Sequence, residues 1–225
     1  MPEFRRLREE ESLGWNKTMN RQMRNLWQKG VSETEIRWSI SRLPVFQENL
    51  EAVCLVRKAG AAQAVVSDAN EFFIEEFLAH RGIRQLFNKG VATNPATFTE
   101  DGRLDVQPYH SESEDPHGCT WCPSNMCKGK RRILDGMLAM KDGSDERTAD
   151  KVIYIGDGNG DFCPALRMRG GDLLLARDGV EGGKSFALLA RIRGEGKGLL
   201  TCRLKTWKHG LDIYSALENE LRDLL

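Results

Sequence analysis

Apolar residues recur at helical spacing through the first sixty positions of the chain. Ser32-Glu33-Thr34-Glu35 fits a capping box, and Ile36, Ile40 and Leu43 follow on one helical face. Pro44 ends that helix, because a proline inside a helix removes an amide donor and clashes with the preceding turn. A second run, Leu50, Val53, Cys54 and Val56, leads to Gly60 as the residue just past a helix end. The pattern then changes. Ala64-Val65-Val66 predicts a short strand, Ser67-Asp68-Ala69-Asn70 a polar turn, and Phe72, Phe73, Glu76, Phe77 and His80 a helix stopped by Gly82. One strand, one turn and one helix make the unit from which α/β sheets are built.

Residues 91–109 read as a hairpin turning at Glu100-Asp101-Gly102. A polar, cysteine-bearing loop covers 110–128, and 133–140 predicts a helix. A second strand, Val152-Ile153-Tyr154-Ile155, runs into Gly156-Asp157-Gly158-Asn159-Gly160-Asp161. Pro164 suits the first turn of the next helix. Leu173-Leu174-Leu175 predicts a third strand, 179–198 a glycine-rich loop around one short helix, and 211–225 a closing helix.

Composition narrows the function classes. Of 225 residues, 33 are basic and 33 acidic, so the net charge is zero. That balance gives no electrostatic footprint for nucleic acid or an anionic membrane surface. No apolar run is long enough to cross a bilayer. The charged opening sequence has no secretory core, so a cytoplasmic location is expected. The six cysteines then read as reduced thiols or metal ligands rather than a disulfide framework.

The turn after the second strand carries the sharpest chemistry. Two carboxylates sit on a glycine-bearing turn at a strand's carboxyl end, the edge where open α/β sheets bind ligands. Asp157 and Asp161 suit a hard divalent cation, magnesium above all. An EF-hand is excluded, because its sixth position would be Phe162 and its twelfth Met168. Ser67 and nearby amides at a helix start suit a phosphoryl oxygen, and Asp68 would lie close by; plain N-capping by Asp68 or Asn70 is the competing reading. Cys127-Lys128-Gly129-Lys130 begins the helix before the Asp157 strand, and Lys128 there could neutralise phosphate charge, or belong to a solvated basic patch with Arg131 and Arg132. Cys119, Cys122, Cys127 and His110 could form a structural zinc site.

The order Ser67-Asp68-Ala69-Asn70, then Lys128, then Gly-Asp157-Gly-x-x-Asp161 resembles the haloacid dehalogenase-type phosphatases. Val-Ser-Asp-Ala-Asn-Glu-Phe-Phe, Asn94-Pro95, Cys-Pro-Ser-Asn-Met-Cys-Lys and Gly-Asp-Gly-x-x-Asp-Phe-Cys-Pro are similar to the subfamily of phosphoethanolamine/phosphocholine, pyridoxal-phosphate and plant thiamine-phosphate and pyrophosphate phosphatases. The resemblance implies a Rossmann-like parallel sheet with a small helical cap at 1–45 and an α/β core at 46–225, with 89–127 inserted as hairpin and cysteine loop. It implies magnesium on Asp157 and Asp161, Ser67 and Lys128 holding the phosphoryl group, Asp68 near the substrate, and a small phosphorylated metabolite as partner. It also implies an opening strand bearing Asp-x-Asp, which supplies the attacking aspartate and the acid/base. No Asp-x-Asp occurs in these 225 residues. The expectation is therefore a magnesium-dependent phosphatase whose usual first, central strand lies outside this sequence. The alternative is a catalytically inactive relative acting as a binding or interaction module.

Overall fold

The computed structural model describes residues 14–110, 121, 126–138, 151–181 and 184–225. They fall into two compact units, and one of the crossings between them lies inside a helix. The first gathers 14–45, 56–110 and 126. The second gathers 46–55, 121, 127–138, 151–181 and 184–225.

In the first unit, α1 (Trp15–Gln28) and α2 (Glu33–Ser41) precede α3 (Gln47–Lys58), whose last residues belong here. The capping box at α2 is complete. The Ser32 hydroxyl accepts from the Glu35 amide, and the Glu35 carboxylate accepts from the Ser32 amide at 2.8 Å. Gly60 follows α3 at φ 72°, the left-handed conformation that lets a glycine close a helix. Strand β1 (Val65–Asn70) leads into α4 (Glu71–His80), capped by the Asn70 side chain on the Phe73 amide at 2.9 Å.

The expected hairpin over 91–109 is only half right. Its first strand, β2 (Val91–Asn94), pairs in parallel with β1. The antiparallel pair is β3 (Ala96–Phe98) with β4 (Leu104–Val106), turning at Gly102 with φ 82°. Pro95 separates β2 from β3 and supplies no amide to a continuous ladder. Helix α1 covers β4, where the Asn20 side chain donates to the Val106 carbonyl and accepts from its amide, both at 2.7 Å. The amide side chain completes the ladder position that a further strand would fill.

In the second unit, β5 (Ile153–Gly156), β6 (Leu173–Arg177) and β9 (Arg203–Trp207) form a parallel sheet in the order β5-β6-β9. Strand β6 is central, and its alternate residues enter two cores. Leu174 and Ala176 join Phe162, Leu188, Leu189 and Met168, while Leu173 and Leu175 pack with Ala216, Ile153 and Trp207. Burying each leucine contributes about 1.5–3 kcal/mol. That two-sided burial is why the strand reads as an unbroken apolar run. Helices α5 (Cys127–Leu138), α6 (Phe162–Ala165), α7 (Ala187–Arg193) and α8 (Gly210–Leu221) complete this unit, with the small hairpin β7 (Val180–Glu181) and β8 (Lys184–Ser185). Helix α5 begins at Cys127, where the Cys127-Lys128-Gly129-Lys130 segment was expected to open it, six residues ahead of the apolar run. Strand β9 carries no continuous apolar run like that of β6, and Arg203 to Thr206 are exposed, so the apolar pattern did not announce it.

Charge ties α8 to the sheet. The Glu220 carboxylate, 8% exposed, accepts from Arg203 Nη2 at 2.7 Å and from Lys151, with Lys205 Nζ at 3.5 Å. The Arg203 hydrogen bond, against a burial effect that it outweighs, holds this carboxyl down at about 2. A depressed pKa stabilises the fold above the unfolded value near 4.5, and that contribution fades as pH falls towards 2. In urea unfolding, wild type should therefore exceed Glu220→Gln in stability at pH 6, and the gap should close between pH 4.5 and 2. A gap that stays constant through that window would show that Glu220 is not linked to folding.

Candidate active site

The second unit builds a carboxylate knot at the carboxyl end of β5. After Gly156 the chain makes one turn of 3-10 helix over Asn159–Asp161 and enters α6. This brings Asp161 back beneath the turn. Asp161 Oδ2 accepts the amides of Asp157 at 3.1 Å and Gly158 at 3.0 Å. Asp161 Oδ1 accepts Lys130 Nζ at 2.8 Å and the Tyr154 hydroxyl at 2.9 Å. Gly156 must be glycine, since a Cβ there would stand 2.8 Å from Asp161 Oδ2.

Asp161 and Lys130 are both buried, at 7% and 5% exposure. Burial alone would push the Asp161 carboxyl up. The Lys130 ammonium and the hydrogen bonds from Lys130, Gly158 and Tyr154 more than offset this and hold it below its usual value. The four donors use both oxygens of Asp161. This carboxylate therefore orders the turn, and Asp157 is the one of the pair that faces outward. The Asp157 side chain is 53% exposed, and its Oδ2 lies 3.7 Å from Arg177 Nη1, on the neighbouring strand end. Among the described residues no cluster of three or more histidine, cysteine or acidic side chains could hold a metal. Magnesium fits this arrangement through Asp157, because it keeps several waters and takes one or two carboxylates plus substrate phosphate.

The lysine on Asp161 is Lys130, not Lys128. Lys128 is half-buried in the first turn of α5. The signal for Lys130 was present, since it shares a buried helical stripe with Cys127 and Leu134. Tyr154 was likewise read only as strand sequence.

The first unit carries the Ser67-Asp68-Ala69-Asn70 segment at the carboxyl end of β1. The β1–β2 register slips between Val66 and Asn70, so Ser67, Asp68 and Ala69 have no register partner on β2. Ser67 Oγ accepts the Ala69 amide at 3.1 Å. Asn94, fully buried, donates from Nδ2 to the Asp68 and Ala69 carbonyls at 2.7 and 2.8 Å, and accepts the Tyr109 amide at 3.0 Å. Asn94 thus shapes the serine turn, a role that sequence alone did not assign. Of the zinc candidates, Cys119 and Cys122 lie outside the described residues. Cys127 is buried at the start of α5, and His110 belongs to the first unit.

An acidic turn braced by a buried lysine at the carboxyl end of a parallel strand sits where open α/β sheets bind their ligands. The chain belongs to the family described as "Putative Phosphatase", whose model matches residues 2–221, within the haloacid dehalogenase-type phosphatases. It is 37% identical over 166 residues to a "Thiamine phosphate phosphatase-like protein" of Arabidopsis thaliana, covering 74% of this chain and 66% of that one. It is 34% identical to "Inorganic pyrophosphatase 2" of Arabidopsis thaliana, covering 95% and 72%, and 28% identical to "Pyridoxal phosphate phosphatase PHOSPHO2" of Homo sapiens, covering 93% and 82%. The chain thus spans about two thirds of the length of the first of these relatives. No solved structure matches it significantly. Among the described residues, no helix is long and apolar enough to cross a membrane.

Proposed function

We propose that this chain is the metal- and phosphate-binding part of a magnesium-dependent phosphatase acting on small phosphomonoesters or pyrophosphate. The observation that carries the reading is the Asp161 knot, which turns the Asp157 carboxylate outward at the carboxyl end of β5. Relatives named for thiamine phosphate, pyridoxal phosphate and inorganic pyrophosphate support the substrate class.

Bound magnesium would neutralise phosphoryl charge and orient the phosphoryl group. Asp157 offers the ligand. Asp161 holds the backbone that aims it, through the amides of Asp157 and Gly158. Lys130 keeps Asp161 ionised. Ser67 and Lys128 are assigned to the phosphoryl oxygens, and Asp68 to the substrate. An aspartyl-phosphate route needs an attacking carboxylate and an acid/base, and the chain has no Asp-x-Asp to supply them. Strand β5 has one neighbour among the described residues, and Ile155 on it is 42% exposed. A further parallel strand at that edge would bury the isoleucine and carry the missing carboxylates to the same end of the sheet as Asp157.

Two measurements test this. Magnesium titration by calorimetry should show affinity falling on the order of tenfold or more in Asp157→Asn. Turnover of pyrophosphate and of thiamine and pyridoxal phosphates should be seen when an Asp-x-Asp strand is joined ahead of Met1, and not with the 225 residues alone. Equal turnover with and without that strand would overturn the aspartyl-phosphate route. Magnesium and phosphate binding without turnover in either form would instead favour the alternative of an inactive binding module, which the absence of Asp-x-Asp motivates.

A further inference from the structure

Arg177 ends β6 one strand away from Asp157, and the pairing of Gly156 with Ala176 sets the two side by side. Its guanidinium carbon stands 4.1 Å over the Phe186 ring and 5.0 Å from the centre of Trp207. The Trp207 ring is itself fixed, because its Nε1 donates to the Leu175 carbonyl at 3.2 Å. Two aromatic faces therefore set the plane of the guanidinium before any ligand arrives.

The donors of this guanidinium are underused. Among the described residues it makes no hydrogen bond. Its one ionic neighbour, Asp157 Oδ2 at 3.7 Å, lies beyond hydrogen-bond distance. The side chain is 31% exposed, so the group is reachable from solvent. The two rings stack on the guanidinium faces and leave its N–H edges open to solvent at the ligand-binding edge of a parallel sheet. A dication on Asp157 would also repel the guanidinium unless an anion came between them.

We infer that Arg177 is an anion-binding residue of the site, donating its planar fork to oxygens of the substrate's phosphate. The inference rests on the phosphatase reading above and deepens it. It assigns a substrate contact to a strand that none of the recognised motifs includes. The chemistry it recognises is a tetrahedral oxyanion, either the transferred phosphoryl group or the second phosphate of a diphosphate.

Calorimetric titration of the full chain with orthophosphate and with pyrophosphate, each in saturating magnesium, tests it against Arg177→Lys. The variant keeps the positive charge and loses the fork. Binding is expected to weaken by about tenfold or more. An equal loss for both anions supports the inference and places Arg177 on the shared phosphoryl group. A loss confined to pyrophosphate supports it and places Arg177 on the second phosphate. Magnesium binding without anion should stay within about threefold of wild type, since Asp157 is untouched. A folded Arg177→Lys that binds both anions as tightly as wild type overturns the inference alone. So does a wild type that binds magnesium but neither anion, whereas a wild type that binds none of the three overturns the phosphatase reading with it. Should the variant not fold, wild type answers the question: orthophosphate with magnesium should protect Arg177 from phenylglyoxal, read by peptide mass. Unprotected modification would sink the idea.

Discussion

Asp161→Ala is expected to destabilise the protein by about 3–5 kcal/mol, the range for removing one partner of a buried ion pair. Lys130 would lose its carboxylate acceptor in a setting where its side chain is 6% exposed. The amides of Asp157 and Gly158 and the Tyr154 hydroxyl would lose theirs as well. Such a loss is a large fraction of the roughly 5–15 kcal/mol by which domains are stable. Lys130→Met should cost less than Asp161→Ala, because three of the four donors to Asp161 remain. Replacing both, as Lys130→Met with Asp161→Leu, should recover part of the loss by removing both buried charges together. Urea unfolding followed by circular dichroism measures all three. If Asp161→Ala costs under about 1 kcal/mol, the pair is a surface-like ion pair and the knot does not organise the turn. If it costs the full amount, magnesium affinity should fall with it, since the Asp161 hydrogen bonds hold the backbone that presents Asp157.

Asn94→Ala should be the most damaging single change in the first unit, at about 2–4 kcal/mol. It strands two carbonyls, those of Asp68 and Ala69, and the Tyr109 amide, all arranged around a side chain with no exposed surface. A buried group left without a partner costs about 1–3 kcal/mol, and the three costs will not add fully because the turn relaxes. The informative companion is Asn94→Asp, which keeps the shape and the acceptor but turns a donor into an acceptor facing two carbonyls. It should be at least as harmful as alanine. An aspartate that leaves the unfolding midpoint unchanged would show that the Asn94 amide does not donate as described. Because Ser67 sits on the turn that Asn94 shapes, the alanine variant should also weaken phosphate binding, with every residue proposed to contact phosphate still in place.

Local physics made much of this protein legible. Ser32 and Glu35 announced the start of α2, Gly60 and Gly82 the ends of α3 and α4, and the leucine run the central strand β6. The Gly-Asp-Gly turn marked Asp157 and Asp161 as candidate residues by their identities and short spacing alone. Each of these signals lies within a few neighbouring positions. What tertiary structure alone decided spans longer separations. Lys130 meets Asp161 across 31 positions, and Asn94 meets Asp68 across 26. Helical periodicity shows which face of α5 is buried, but not which carboxylate waits beneath it. Val91–Asn94 looked like the first half of a hairpin because its apolar pattern suits either strand direction, and only pairing with β1 settles which. Between the two carboxylates of the turn, sequence could not divide the labour. The fold does so by burying Asp161 among four donors and leaving Asp157 turned outward, since a carboxylate with both oxygens filled serves the backbone and an exposed one can serve a ligand.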